Sequence, residues 1–209
     1  MDIRDQKLAQ LITQYSIGVK PGDRVVIRGG VAGEPLLKEL YKQVIGAGGH
    51  PVLWPELSWM EETLLNLGSE EQITYIPRPT ALFYEEYDCL IRVIAEENTK
   101  VLNGIDAQKY TRYVQARGAL MNTYMERSAK GELRWALTLY PTNAYAQDAD
   151  MSLEDYADFV YQACMPDMAD PVGYWRGVSE RQARIINWLK GKKRVHLVGK
   201  GTDLRLSIE

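Results

Sequence analysis

Few side chains in this sequence are spaced for chemistry. The 209 residues contain two histidines, His50 and His196, each in or beside a stretch that reads as a β-strand. There is no H-E-x-x-H helix and no cysteine pair at ligand spacing, so both histidines read as packed, hydrogen-bonded residues rather than metal ligands. The acidic pairs Glu61-Glu62, Glu70-Glu71, Glu85-Glu86 and Glu96-Glu97 read as solvated helix or loop charges. No G-x-S-x-G elbow occurs. None of Ser16, Ser58, Ser69, Ser128, Ser152, Ser179 and Ser207 has an evident histidine partner. The residues present thus make no complete catalytic constellation.

One segment has the position of a phosphate loop. Gly29-Gly30-Val31-Ala32-Gly33 follows a strand and precedes a helix, where backbone N–H groups favour anions. Its spacing is not G-x-G-x-x-G, and Glu34 at the helix start would repel a phosphate. A structural βα turn is the favoured reading. Glu56, at the end of the next strand, resembles a ribose-binding acid only in position. A stand-alone α/β domain for a nucleotide or other anion is therefore the alternative function. It predicts ligand binding lost on Gly30→Val.

Trp54, Trp59, Met60, Tyr75, Phe83, Tyr84 and Tyr87 concentrate around residues 56–87. Packing explains them, and the wall of a chamber or an interface is the other reading. Cys89 and Cys164 lie far apart in apolar stretches and read as buried free thiols.

Alternating strands and helices must position these groups. Leu8, Leu11, Ile12 and Tyr15 give an opening helix one face. A turn at Pro21-Gly22-Asp23 leads to strand 24–28, and Glu34-Pro35 opens a helix that Gly46, Gly48 and Gly49 end. Strand 50–55 follows. Residues 56–87 read as a polar, mostly helical excursion or lid. Strand 88–95 is nearly all apolar, as both-face burial requires. One long helix is expected over 107–130, then strand 133–140. Ser152 with Asp155 signals an N-cap, Asp170-Pro171 another helix start, and the final hairpin is expected to close the sheet. The order predicts a three-layer αβα sandwich, a mainly parallel sheet with helices on both faces and a C-terminal β-hairpin.

Composition narrows the function. The formal charge of −3 is evenly spread, and the densest basic run, residues 190–194, reads as a solvated helix end, which argues against nucleic acid as a partner. No run reaches the roughly 18 apolar residues that a membrane span needs, and residues 1–15 are no signal peptide, so a cytoplasmic protein without a membrane partner is expected. At the other end, Leu204, Leu206 and Ile208 alternate with Arg205, Ser207 and Glu209, with nothing after them as cover. This reads as a domain boundary or truncation.

An ordered set of short motifs adds a resemblance. It comprises KPGDRVVIRG (20–29), EPLLKELYKQVIGAGGHPV (34–52), ENTKVLNGID (97–106), MERSAKGELRW (125–135), YPTNAYAQDADMSLEDYADFVYQAC (140–164), DPVGYW (170–175) and GKGTDLRLSI (199–208). In order and spacing the set resembles the N-terminal region of the aminopeptidase T (AmpS/PepS) family of thermophilic metalloaminopeptidases. The resemblance implies a cytosolic exopeptidase that removes N-terminal amino acids from peptides with two adjacent divalent metals, Zn, Co or similar. Such a pair bridges a water, lowers its pKa and polarises the scissile carbonyl. It further implies that the ligands (Glu, His, Tyr and Asp) belong to a C-terminal domain beyond residues 1–209. No metal ligand or catalytic residue is carried over to this chain. The 209 residues are then one α/β domain, inactive alone, packed over the chain's own metal domain and restricting access to peptide substrates. A homodimer of the full-length protein is compatible with this. Arg127, Trp135 and Thr142 lie in matching motifs and are the candidates for the substrate chamber or domain interface.

Overall fold

The computed structural model describes residues 2–164 and 168–208. The chain divides into two compact units, Met1–Pro171 and Val172–Glu209.

In the first unit, helix α1 (Ile3–Leu11) is capped by the Asp2 carboxylate and runs into a π-helical turn, Ile12–Ser16. Strand β1 (Arg24–Gly30) leads to α2 (Glu34–Gly46), where Pro35 sits in the first turn, and Gly48 beyond its end has φ +80°. Strand β2 (His50–Glu56) returns. The 56–87 segment folds into three short helices, α3 (Ser58–Leu67), α4 (Glu70–Thr74) and α5 (Arg78–Glu85). Then come β3 (Cys89–Ile94), α6 (Ala107–Ala116), α7 (Gly118–Ala129), β4 (Arg134–Leu139), α8 (Asn143–Asp148) and α9 (Leu153–Cys164).

The four strands form one sheet in the order β2-β1-β3-β4, with every neighbouring pair parallel. Alternation along β1 and β3 separates two cores. Val25, Ile27, Cys89, Ile91 and Val93 pack with Leu8 of α1, Leu36 and Leu40 of α2 and Tyr161 of α9. Val26 and Leu90 face the other way, onto Phe83 of α5, Tyr124 of α7 and Leu133 just before β4. Helices therefore cover both faces, as the strand–helix order predicts.

The helix expected over 107–130 is two helices that meet at Arg117, which has φ −88° and ψ 0°. Gly118, a poor helix former, is the first residue of α7. Arg117 Nη1 donates to the carbonyls of Tyr113 (2.9 Å) and Ile73 (3.3 Å), tying the break to α4.

The second unit holds α10 (Pro171–Leu189) from its second residue onward and the hairpin β5 (Arg194–Gly199) and β6 (Thr202–Ser207), turned through Gly201 at φ +75°. The hairpin was expected to close the sheet; it instead forms a two-stranded antiparallel sheet of its own. A tight turn gives each strand its neighbour in sequence as a partner, and no further strand is required. Glu209, the end of the expected strand, lies outside the described residues. No helix among the described residues is long and apolar enough to cross a membrane.

Candidate functional site

The chain order reverses between β1 and β3. In open parallel sheets the crevice beyond the carboxyl ends of such strands is where ligands sit. Here that end carries charge just beyond the buried apolar stretches of β1 and β3. Arg28 of β1 stands beside Arg92 of β3 in register, and Gly30 stands opposite Glu56 at the end of β2. Arg28 Nη2 donates to Glu56 Oε1 at 2.5 Å, while Arg28 Nη1 donates to Tyr84 Oη at 2.8 Å. Arg92 Nε lies 3.5 Å from Glu56 Oε2. Burial disfavours charge on Arg28, but Glu56 and Tyr84 outweigh it, so the guanidinium is held more firmly protonated than usual.

Helices α3 and α6 add two groups. Burial pushes the Glu61 carboxyl above its usual range, against the pull of Arg117 and Arg92. Burial likewise raises the Tyr113 hydroxyl. The Arg117 guanidinium carbon stacks 3.4 Å from the centre of the Tyr113 ring. Lys109 of α6 caps the end of α3 through the carbonyls of Leu65 and Asn66 at 3.2 and 3.3 Å, fixing α6 against α3.

The glycines next to this end have a local cause. A Cβ on Gly30 would lie 2.4 Å from the Ala95 carbonyl oxygen, and one on Gly29 would lie 2.8 Å from that of Val93. Gly33 is close to the side chains of Ala95 and Val93. The run is glycine-rich because the turn into α2 presses on β3.

The three sequence-derived candidates do not converge on one site. Arg127 Nη1 donates to the carbonyls of Tyr84 (2.8 Å) and Tyr87 (3.0 Å), and Nη2 to that of Glu132 (3.3 Å). It clamps the end of α5 to the turn before β4. Trp135 on β4 is half-exposed, with its ring 5.6 Å from that of Tyr124. Thr142 is buried at the start of α8, where its hydroxyl donates to the Glu96 carbonyl at 2.7 Å and accepts from the amide of Tyr145. Arg127 and Trp135 border the Tyr84–Tyr124 aromatic pair, and Thr142 belongs to the loop after β4. Sequence reasoning missed Arg28 and Arg92. Their only signal is a charge late in each of two apolar strands, VVIR and CLIR.

The described residues do not fit a metal centre. No three His, Cys, Asp or Glu side chains among them converge where they could hold an ion. The two carboxylates nearest the crevice lie among arginines, which compete with any cation. His196 Nε2 is 2.8 Å from Asp203 Oδ1 across the hairpin, a cross-strand contact on an exposed surface.

Comparison with known proteins agrees with this fold. A family model described as thermophilic metalloprotease (M29) matches residues 2–209. The chain is 23% identical over 205 residues to "Aminopeptidase 2" of Geobacillus stearothermophilus, covering 92% of this chain and 49% of that protein. Its fold matches that of wild-type AmpT from Thermus thermophilus with a TM-score of 0.73 at 17% identity, over 98% of this chain and 53% of the other. The chain thus spans about half the length of the relatives it matches.

Proposed function

The chain belongs to the thermophilic metalloprotease family M29, and from that premise we propose that it is the non-catalytic, N-terminal part of a metal-dependent aminopeptidase. In this reading the metal ligands lie in polypeptide outside these residues. The present fold packs against that metal-bearing part and limits which peptides reach it. The observation that carries the reading is the mismatch between a metalloprotease family and a donor set that assembles no metal site among the described residues.

Two features support a packing role. Tight burial concentrates around the sheet, where Val25, Val26, Ile27, Leu36, Leu40, Ile91 and Val93 are fully buried. Outside it, Leu197, Val198, Leu204 and Leu206 of the hairpin are exposed, as are Ile185, Ile186 and Trp188 of α10. Exposed apolar surface of this kind marks association.

Activity assays test the proposal. Purified chain, supplied with Co²⁺ or Zn²⁺, is expected to leave leucine-p-nitroanilide unhydrolysed. Metal-dependent turnover that scales with the chain and survives repurification would overturn the proposal.

A further inference from the structure

The two edges of the four-stranded sheet are built differently. In β2 the amide of His50 donates to the Asp23 carbonyl at 2.7 Å, toward β1. Backbone groups alternate along a strand, so the amide positions of Pro51, Leu53 and Pro55 point away from the sheet. Pro51 and Pro55 have no N–H to offer there. Proline at outward positions is one way an exposed edge is kept from pairing with another chain.

The β4 edge has no such block. The amides of Arg134 and Tyr140 donate toward β3, to the carbonyls of Asp88 (3.0 Å) and Ile94 (2.8 Å). The same alternation turns the N–H and C=O groups of Trp135, Leu137 and Leu139 outward. None of these groups has a hydrogen-bond partner among the described residues. Residues 135–139 contain no proline and no charge. Trp135 is 48% and Leu137 54% exposed. Only the start of the strand is engaged, where Arg134 donates to the Ile17 carbonyl at 3.0 Å and pairs with Asp23 at 2.6 Å. An open, apolar, unblunted edge is a template for one more strand.

From this contrast we infer that β4 is a self-association edge, on which β4 of a second copy adds antiparallel about a two-fold axis through Leu137. The parity of the strand fits. Leu137 meets Leu137 of the second copy, and Trp135 meets its Leu139, so outward groups face outward groups. Roughly six backbone hydrogen bonds then form across the axis. The charges fit as well. Arg134, already answered by Asp23, comes opposite Tyr140 of the second copy, so no like charges meet. The uncharged stretch offers nothing to a charged partner. The blunted β2 edge closes the assembly, because a sheet with one open edge stops at two copies where a sheet with two would add copies without end. The inference rests on the strand edges alone and holds wherever the metal ligands lie.

Sedimentation equilibrium of the 209-residue chain, from low to high micromolar concentration, tests it. The wild type is expected to form a reversible dimer and nothing larger. Leu137→Pro is expected to be monomeric; it removes an outward amide and no bond to β3. Should L137P lose its fold, Leu137→Lys decides, since it keeps the amide and sets like charges opposite each other on the axis; it must weaken the dimer at least tenfold. Leu206→Lys, on the exposed hairpin, is expected to dimerise as the wild type does. Hydrogen exchange is expected to slow at the amides of Trp135, Leu137 and Leu139 as the dimer fills. A wild-type chain that stays monomeric would overturn the inference. So would an undiminished dimer in L137P (or in L137K, where that variant decides), a dimer lost in L206K but kept in L137K, or equal exchange of those amides in monomer and dimer.

Discussion

Gly30 and Ala95 leave no room for a side chain between β1 and the end of β3: a Cβ on Gly30 would lie 2.4 Å from the Ala95 carbonyl oxygen. That contact is backbone, so it cannot swing away. Gly30→Ala is expected to destabilise the chain by about 3 kcal/mol or more. Gly46→Ala, where a Cβ meets nothing within 4 Å, is expected to stay within about 1 kcal/mol of wild type. Urea denaturation of both variants checks the contrast. The same contact means that Gly30→Val damages the sheet whether or not a ligand binds the loop, so that substitution does not discriminate a phosphate loop from a packed turn.

Asp5 and Tyr161 join α1 to α9 inside the first core. The Tyr161 hydroxyl donates to Asp5 Oδ1 at 2.5 Å, and both residues are buried. Burial pushes the Asp5 carboxyl above its ordinary range; the bond from Tyr161 pulls it back only in part. Asp2, Arg4 and Glu39 are the other charges that act on it. A carboxyl raised on folding favours the folded state when protonated. Its contribution is complete below the ordinary carboxylate value and is lost as pH rises through the raised one. Stability measured by urea between pH 3 and 7 is expected to contain this loss, and Asp5→Asn to remove it. Tyr161→Phe is expected to cost about 1–3 kcal/mol, more at neutral than at acid pH.

Arg127 separates packing from interface. Its three carbonyl contacts lie within the first unit and its side chain is 16% exposed. Arg127→Ala is expected to lower the stability of the chain by about 2–4 kcal/mol, with Arg127→Lys between the two. Unchanged stability in R127A would show that those bonds contribute little within the fold, leaving a role at an external surface as the account of this residue.

Cys89 is buried on β3 beneath Asp23 and Arg134, and burial pushes its thiol up to about 12. Almost no thiolate is then present at neutral pH. Labelling by a thiol reagent is expected to be slow in the native chain and fast in denaturant, and mass spectrometry after digestion identifies the site.

What was legible in the sequence was what short-range pattern encodes. Val25-Val26-Ile27 and Leu90-Ile91 announce strands buried on both faces, and Glu34-Pro35 and Ser152 announce helix starts. The break at Arg117 was not legible, since one glycine within an apolar-periodic stretch is often tolerated in a helix. Nor was the pairing of the hairpin with itself alone, because a half-buried alternation does not say which sheet a strand joins. The arginine pair was hidden for a different reason. Arg28 and Arg92 are 64 residues apart in number, and only the parallel register of β1 and β3 brings them side by side. Glu56 has the sequence position of a ribose-binding acid, but its partners are two arginines.

The claim that these residues hold no metal centre is tested most directly by equilibrium metal binding. Titrating the purified chain with Zn²⁺ against a chromophoric chelator is expected to show no site that competes at micromolar concentration. Two tight sites per chain, abolished by substitution of its own His, Asp or Glu residues, would contradict the account.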